Sequence, residues 1–459
     1  MPAFDMQSEL DAPADAVFDW HCRPGAFERL TPPWEPVELV SSKGVFEGSV
    51  AVIRVGLAPL VWSTWVARHQ DIELGRQFRD IALTGPFSKW EHTHQMRPLA
   101  DDRCLLSDHI EYQPPLGFLS NVLIGRFIRD KLSRTFAYRH RVTAQDLEFH
   151  RRATGDRTMK IAIGGSTGLV GNELVSFLTT GGHEVVRLVR KRSLTGSPTA
   201  QVQWDPAQGT IDATKLEGCD AVVHMGGDNI AHGRWTEGKK RLIHDSRTIS
   251  TKLLASTLAG LTRPPKVFVC ASAIGFYGDR GDDVMTEDCA PGPTFISNVC
   301  RDWEAATEPA RAAGIRVVNL RFGVILTPKG AALKKMLLPF KLCGGGVVGS
   351  GRQWWSWVAI DDVLRAALHS IVTDSLVGPV NVVAPGTVTN YDFTKALGRV
   401  LHRPTILPMP AFAVRLALGE MGEELLLASS RVAPTKLQAS GFDFAYPELE
   451  PALRHLLGR

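Results

Sequence analysis

Met159-Lys-Ile-Ala-Ile-Gly-Gly-Ser-Thr-Gly-Leu-Val-Gly171 decides the architecture of most of the chain. Lys160–Gly164 is a short apolar run of the kind buried on both faces of a parallel sheet. Glycines 165, 168 and 171 then open an amphipathic helix from Leu169 to Thr180, which Gly181-Gly182 stops. Glu184-Val-Val-Arg-Leu-Val189 follows as a second strand. Each glycine has a separate task in this order of elements. Gly165 permits the tight turn, Gly168 lets a pyrophosphate approach the backbone, and Gly171 lets the helix pack close to the sheet. The helix N-terminus then presents free N–H groups and partial positive charge to the phosphates. The segment reads as a dinucleotide site formed by Gly165, Ser166, Thr167, Gly168, Leu169, Val170 and Gly171.

An acid at the end of the second strand would take the ribose 2′-hydroxyl of NAD. That place holds Arg190-Lys191-Arg192 instead. These cations are either surface charges at a strand end or the partners of a 2′-phosphate, which guanidinium binds through charge-assisted bidentate bonds. Their position beside the adenosine ribose favours NADP(H). Further along, Asp220-Ala-Val-Val-His-Met-Gly-Gly227 reads as a fourth strand ending on Met225 and Gly226, where small residues let the cofactor lie against the backbone. Lys266–Ala273 is the fifth, bringing Ser272 to the carboxyl end of the sheet, where α/β ligands bind.

The totals set limits around this reading. A chain of 459 residues is long for one core and implies two or three domains. The net charge of +4 is too small to suggest a nucleic-acid partner, and no basic-aromatic groove pattern appears. No apolar run reaches the roughly 18 residues of a spanning helix, and Met1–Leu10 carries acids where a secretory signal carries bases. The cytoplasm is the expected compartment. Seven scattered cysteines without CxxC spacing suggest reduced thiols, so no metal site is expected. Oligomeric state is left open.

Before Met159 the pattern changes. A strand-like start and a short helix across Asp11–Trp20 precede extended segments at Ser49–Val55, Val61–His69, Gln77–Leu83, His92–Pro98 and Cys104–Tyr112. A long amphipathic helix over Leu119–Leu147 follows, with Val122, Ile124, Phe127, Ile128, Leu132, Phe136 and Tyr138 at helical spacing. One long helix against a curved antiparallel sheet is an α+β arrangement able to enclose an apolar ligand. Arg126, Arg129, Lys131, Arg134, Arg139 and Arg141 read as a solvated face more readily than as an anion patch. Residues 149–158, polar and without apolar periodicity, read as a linker. The expected domains are therefore 1–148 and 159–459, with a substrate-side subdomain mainly at 330–459.

Two resemblances extend the reading. Pro13–Trp20 and Arg23–Trp34 resemble the START-like, polyketide-cyclase-type ligand-binding superfamily, which implies a helix-grip fold over the first third. Gly164–Gly171, Gly226–Ala231, Arg234-Trp235, Asp245-Ser-Arg247, Ser272–Gly278, Asp302-Trp-Glu304, Arg321–Leu326, Gly349–Gln353 and Trp357–Asp362 resemble an extended short-chain dehydrogenase/reductase. Within that class they are most similar to the atypical epimerase family, related to nucleotide-sugar epimerases. The resemblance implies a Rossmann-type doubly wound α/β sheet. It adds Arg190, Gly226 and Arg247 as NADP contacts, with Ile325 lining the cofactor, and it implies a small-molecule substrate.

The chemistry is less complete than the cofactor site. Short-chain reductases need a Tyr acid, a Lys four residues later to lower its pKa, and a Ser to hold the substrate oxygen. Ser272 lies in the right strand, but the following helix offers Phe295 and Val299 where Tyr and Lys are wanted. Tyr277 is either a phenol presented to the cleft or a packed aromatic. Tyr391 and Lys395 form a Tyr-x-x-x-Lys too far along the chain to serve. Asp361-Asp362 reads as a helix N-cap more readily than as a substrate contact, and Gly344–Gly351 with Trp354–Trp357 as a substrate lid. Two functions remain: an NADP(H)-dependent oxidoreductase or epimerase with an altered acid, or a non-catalytic module that senses NADP(H) or carries a ligand.

Overall fold

The computed structural model describes residues 2–58, 60–100, 102–115, 118–191 and 199–459. The chain divides into two compact units. One is built on Met1–Asp156 with Ser176–Gly182 and Gly458, and the other on Arg157–Val175, His183–Leu457 and Arg459. No helix among the described residues is long and apolar enough to cross a membrane.

The N-terminal unit is α+β. Strands β1 (Ala3–Leu10), β2 (Val37–Ser42), β3 (Val50–Ala58), β4 (Val61–Glu73), β5 (Gln77–Thr84), β6 (Lys89–Ala100) and β7 (Arg103–Gln113) form one antiparallel sheet, order β1-β7-β6-β5-β4-β3-β2. Helices α1 (Ala14–Cys22) and α2 (Ala26–Leu30) follow β1, and α3 (Phe118–Thr154) follows β7. Strand alternation sends Trp90, His92, His94 and Met96 of β6 to the buried face, as it does Leu106, Asp108 and Ile110 of β7. Met96 and Leu106 belong to one apolar cluster, with Leu10, Phe18 and Phe78. Trp90 and Ile110 belong to another, with Phe4, Ile128 and Phe136. Between them runs a band of histidine and aspartate. The interior is therefore not apolar throughout, as the expected ligand cavity would require.

Helix α3 also corrects the expected linker, since it continues to Thr154 and takes in residues 149–154. Those turns are held by local bonds that hydrophobic periodicity does not register. Arg152 pairs with Glu148 one turn back at 2.5 Å, and the Thr154 hydroxyl donates to the His150 carbonyl at 2.9 Å. Of the basic residues, Arg126, Arg129, Arg134 and Arg141 are exposed, as a solvated face requires. Lys131 instead pairs with Glu35, and Arg139 donates to the Leu30 carbonyl.

The second unit is a doubly wound sheet of β8 (Lys160–Gly164), β9 (Glu184–Val189), β10 (Ala200–Asp205), β11 (Thr210–Ile211), β12 (Ala221–His224), β13 (Val267–Ala273), β15 (Arg316–Phe322) and β19 (Gly378–Val382). Its order is β11-β10-β9-β8-β12-β13-β15-β19, parallel except for the β10–β11 pair. Helix α4 (Leu169–Thr180) leaves the end of β8, and α5 (Glu237–Ala259) lies between β12 and β13. Helices α6 (Phe295–Ala305) and α7 (Glu308–Ala312) precede β15. The order of connection reverses between β8 and β12, and a ligand site is expected at that switch point. Ile161, Ala162, Ile163, Val222 and Val223 are fully buried there, which is why these strands read as unbroken apolar runs.

Short pairs complete the unit: β14 (Val284–Met285) with β21 (Arg431–Val432), β16 (Val324–Leu326) with β18 (Trp357–Ala359), and β17 (Trp354–Trp355) with β20 (Val388–Thr389). Within 330–459, the stretch expected to be mainly substrate-side, β19 adds to the main sheet beside β15. The expected lid is also anchored. Val348 N–H donates to Asn390, Gln353 donates to the Val348 and Leu426 carbonyls, and Trp357 is fully buried.

Helix α8 (Ala331–Lys341) is followed by α9 (Ile360–Val372) and α10 (Asn390–Leu401). Ala359, not an aspartate, stands at the N-cap of α9. Asp361 pairs with His455, and the Asp362 carboxylate accepts the N–H groups of Ala445 and Tyr446 at 2.7 and 3.0 Å. Burial pushes the Asp362 carboxyl up from 3.8 to about 7, against the opposing pull of Arg365 and the two N–H donors. An acid raised in the folded state adds no penalty below its unfolded value. Its cost to stability builds as pH rises from 3.8 towards about 7. Asp362→Asn should therefore flatten the fall in stability over that window, measured by urea unfolding of both proteins. An unchanged slope would show that the carboxyl titrates normally.

Candidate functional site

The turn between β8 and α4 is built on a close crossing. Gly165 has φ +75°, and a Cβ placed there would lie 2.6 Å from the Gly226 nitrogen and 2.7 Å from the Met225 carbonyl carbon. Only glycine satisfies both the left-handed backbone and that approach. The crossing is held by the Met225 N–H, which donates to the Gly164 carbonyl at 2.9 Å. At Gly171 a Cβ would lie 2.2 Å from the Gly165 carbonyl oxygen. Gly171 thus packs on the turn itself, a tighter role than clearance from the sheet. Gly168 is exposed, and a Cβ there would meet only the Gly165 oxygen, at 3.2 Å. Thr167 is also exposed, and Leu169 and Val170 are half-buried at the start of α4. This open backbone before a helix N-terminus fits a pyrophosphate.

Ser166 takes a different part. It is fully buried, and its hydroxyl donates to the Leu188 carbonyl at 3.4 Å. Arg187 of β9 donates to the Ser166 carbonyl at 2.8 Å, so the second strand props the turn from below. Leu188 pairs in register with Gly164, and the exposed Arg190 and Lys191 follow directly at the carboxyl edge. Arg192 lies outside the described residues.

Beneath the crossing sits His224, which the sequence reading passed over. Cβ atoms on Gly164 and Gly226 would lie 2.5 and 2.6 Å from its ring. Burial lowers its pKa to about 4, so it is a neutral imidazole, bonded through Nε2 to Ser250 at 3.0 Å. The expected contact Arg247 lies behind the Gly226–Asp228 loop. It donates to the Ile243 and Asp228 carbonyls at 2.9 and 3.0 Å, with its guanidinium 5.0 Å from the centroid of the Trp303 ring. Ile325, in β16, is half-buried. The turn after β16 reaches α4 through Lys329, which pairs with Glu173 at 2.7 Å.

Neither candidate catalytic hydroxyl, of Ser272 or of Tyr277, is exposed. Ser272 is 2% exposed and donates to Glu304 at 2.7 Å. Glu304 is clamped by Arg321 through two bonds of 2.8 Å. Arg321 in turn donates to the Tyr277 oxygen at 2.9 Å, and Tyr277 donates to Asn381 at 2.7 Å. Tyr277 is fully buried, and that burial pushes its pKa up to about 12 despite Arg321. The packed-aromatic alternative describes it, and a phenol at about 12 is a poor proton donor near neutrality. Glu304 and Arg321 stood in segments quoted for the family resemblance, but neither they nor Asn381 was given a role, because their bonding joins three separate elements.

Helix α6 begins at Phe295, as expected, with Glu424 accepting the N–H groups of Phe295 and Ile296 at 3.1 and 3.0 Å. Phe295 packs edge-on against Trp235, and Val299 is buried, so this helix supplies no proton-transfer pair. Tyr391 and Lys395 lie on α10, where Lys395 donates to Thr405. The sequence reading also missed Asp80, His92 and His94, whose donor atoms come within 4.8 Å of one another in the N-terminal unit. Cysteine spacing alone had suggested that no metal site exists.

Comparison with known proteins matches both units. Residues 161–383 match the NAD dependent epimerase/dehydratase family, and residues 10–141 match polyketide cyclase / dehydrase and lipid transport proteins. Residues 409–456 match a domain of unknown function. An epimerase family protein of Mycobacterium leprae is 38% identical over 67% of this chain and 98% of its own length. A nucleoside-diphosphate sugar epimerase of Corynebacterium glutamicum has a crystal structure with TM-score 0.80 and 33% identity. The match covers 99% of this chain and 90% of that one. The human epimerase family protein SDR39U1, solved with NADPH, gives TM-score 0.60 and 32% identity over 65% of this chain and 99% of its own.

Tyr277→Phe should lower stability by about 1–3 kcal/mol, the cost of leaving Asn381 and Arg321 short of a buried partner. Binding of a nicotinamide cofactor should be unchanged. Denaturant unfolding with calorimetry of cofactor binding checks both. A variant of full stability would mean that the hydroxyl is not part of the buried chain.

Proposed function

The chain belongs to the epimerase family, and from that premise we propose that it binds NADP(H) and acts as an oxidoreductase or epimerase on a small molecule of the nucleotide-sugar class. One observation carries the reading. The glycine turn lies at the switch point of the sheet, and the strand end beside it offers Arg190 and Lys191 where an NAD site would offer an acid. The NADPH complex of the human relative supports the same cofactor, and the Corynebacterium relative's description supports the substrate class.

In this reading the backbone from Gly165 to Gly171 carries the pyrophosphate, and Arg190 with Lys191 neutralises the 2′-phosphate. Ile325 borders the cofactor, and Arg247 fixes the Gly226–Asp228 loop. The nicotinamide, when bound, supplies or accepts the hydride, so the chain contributes position and protons. A second reading, an NADP(H)-sensing or ligand-carrying module with little turnover, is favoured by one feature. Phe295 and Val299 replace the proton-transfer pair, while Tyr277 and Ser272 are spent in a buried network.

Arg190→Ala should weaken NADPH binding by about 30-fold, or ~2 kcal/mol, and leave NADH binding nearly unchanged, as calorimetry with both cofactors would show. Equal losses would remove the 2′-phosphate assignment. Incubation with NADP+ or NADPH and a panel of nucleotide sugars, read both as net cofactor turnover and as formation of the epimeric sugar, separates the two readings. Lys395→Ala should leave any such turnover intact, and its loss with cofactor binding preserved would place the acid on α10.

A further inference from the structure

The polar band inside the N-terminal unit has the construction of a metal site. Four neighbouring strands contribute to it, each at inward positions set by register. His69 pairs with Asp80, Asp80 with His92, and His94 with Asp108 across successive strands β4 to β7. Asp108 is the organiser. One of its oxygens lies 2.7 Å from His92 Nε2 and 2.8 Å from His94 Nδ1, and the other lies 2.6 Å from His140 Nε2 of α3. His94 Nδ1 is close to that oxygen but off the line of a hydrogen bond, leaving a buried nitrogen without one. On its far side, His94 Nε2 stands 3.4 Å from Asp80 Oδ2. That separation is long for a charge-assisted hydrogen bond. It matches the distance between two ligands of one tetrahedral ion, about 3.3 Å when each metal–ligand bond is about 2.0–2.1 Å.

We propose that Asp80, His92 and His94 bind a divalent transition-metal ion, with Asp108 orienting the two imidazoles from behind. Donor atoms from the three side chains already lie within 4.8 Å of one another. The set is two nitrogens and one oxygen, which suits zinc-like or ferrous ions and leaves at least one coordination position open. A carboxylate holding the far nitrogen of a ligating histidine is the usual support for such a site. Asp108 holds His92 Nε2 in this way and stands 2.8 Å from His94 Nδ1, and His69 Nδ1 bonds the second oxygen of Asp80. The Asp80 side chain keeps 21% of its exposure, whereas His92 and His94 keep only 4% and 7%. An ion would enter past Asp80. Phe78 stacks on the His94 ring with centroids 4.2 Å apart, holding its plane. The site lies between two apolar clusters.

Elemental analysis and Co2+ titration of the full-length chain, purified without an affinity tag that binds metal, test the proposal. The expected result is one Co2+ or Zn2+ per chain, with a visible Co2+ spectrum of nitrogen and oxygen ligation. Asp80→Asn, nearly isosteric at the accessible position, should weaken binding at least 10-fold. Asp108→Asn should weaken it 10- to 100-fold with the three ligands intact. Far-UV circular dichroism confirms that each variant is folded. No saturable uptake by the wild-type chain would overturn the proposal. So would a thiolate charge-transfer band, which would assign the metal to cysteine, or undiminished affinity in a folded Asp80→Asn protein. Failure of the wild-type chain to take up metal decides against the proposal even if both variants misfold.

Discussion

The close crossing of two backbones, at Gly165 and at Met225-Gly226, is the constraint on which the second unit depends. A left-handed φ of +75° and a would-be Cβ 2.6 Å from the neighbouring nitrogen leave room for no side chain. The crossing follows from the reversal of strand order between β8 and β12, since the turns leaving those two strands emerge side by side. His224 lies under Gly164 and Gly226 as a neutral ring, so the floor of the turn is fixed without a competing charge. The helix N-terminus and the cations after β9 are exposed positive features for an anionic ligand.

Burial redirects groups that would otherwise look chemical. Ser272, Glu304, Arg321, Tyr277 and Asn381 form one continuous chain of bonds through the sheet and the segments packed on it. Each member satisfies its neighbour, and opening the chain would strand a buried ion. The hydroxyls of Ser272 and Tyr277 are already bonded within that chain. Ala273, one residue beyond Ser272 and alternate to it in the strand, is less buried but carries no hydroxyl. The unit thus has an open glycine turn before a helix N-terminus, while the hydroxyls of Ser272 and Tyr277 are engaged in a buried network.

In the N-terminal unit the same economics run the other way. A sheet that could have been lined with aliphatic residues instead holds Asp80 and Asp108 among histidines, both carboxyls kept well below their ordinary range by those imidazoles despite the cost of burial. Asp108 and Asp80 outweigh burial at His94 and raise it to about 9, while burial lowers His92 to about 4. Fixed charge separation of this kind costs desolvation that apolar packing would avoid. The core of the unit is accordingly two apolar clusters with a polar band between them.

The sequence alone determined features set by short-range rules. The β8–turn–α4–β9 unit was legible because glycine spacing, apolar runs and a helix stop act within about thirty residues. The long helix α3 was legible over its apolar stripe and not over its last turns, where Arg152, Glu148 and Thr154 bond locally without periodicity. Alternation could have shown that His92 and His94 share a face with Trp90 and Met96, but not that Asp80 and Asp108 stand opposite. Nor could it show that Ser272 turns towards Glu304 or that Gly344–Gly351 is pinned by Asn390 and neighbouring segments. Those outcomes belong to the tertiary structure. They depend on strand register and on which distant side chain lies at hydrogen-bond distance, and neither is written in the spacing of residues along one strand.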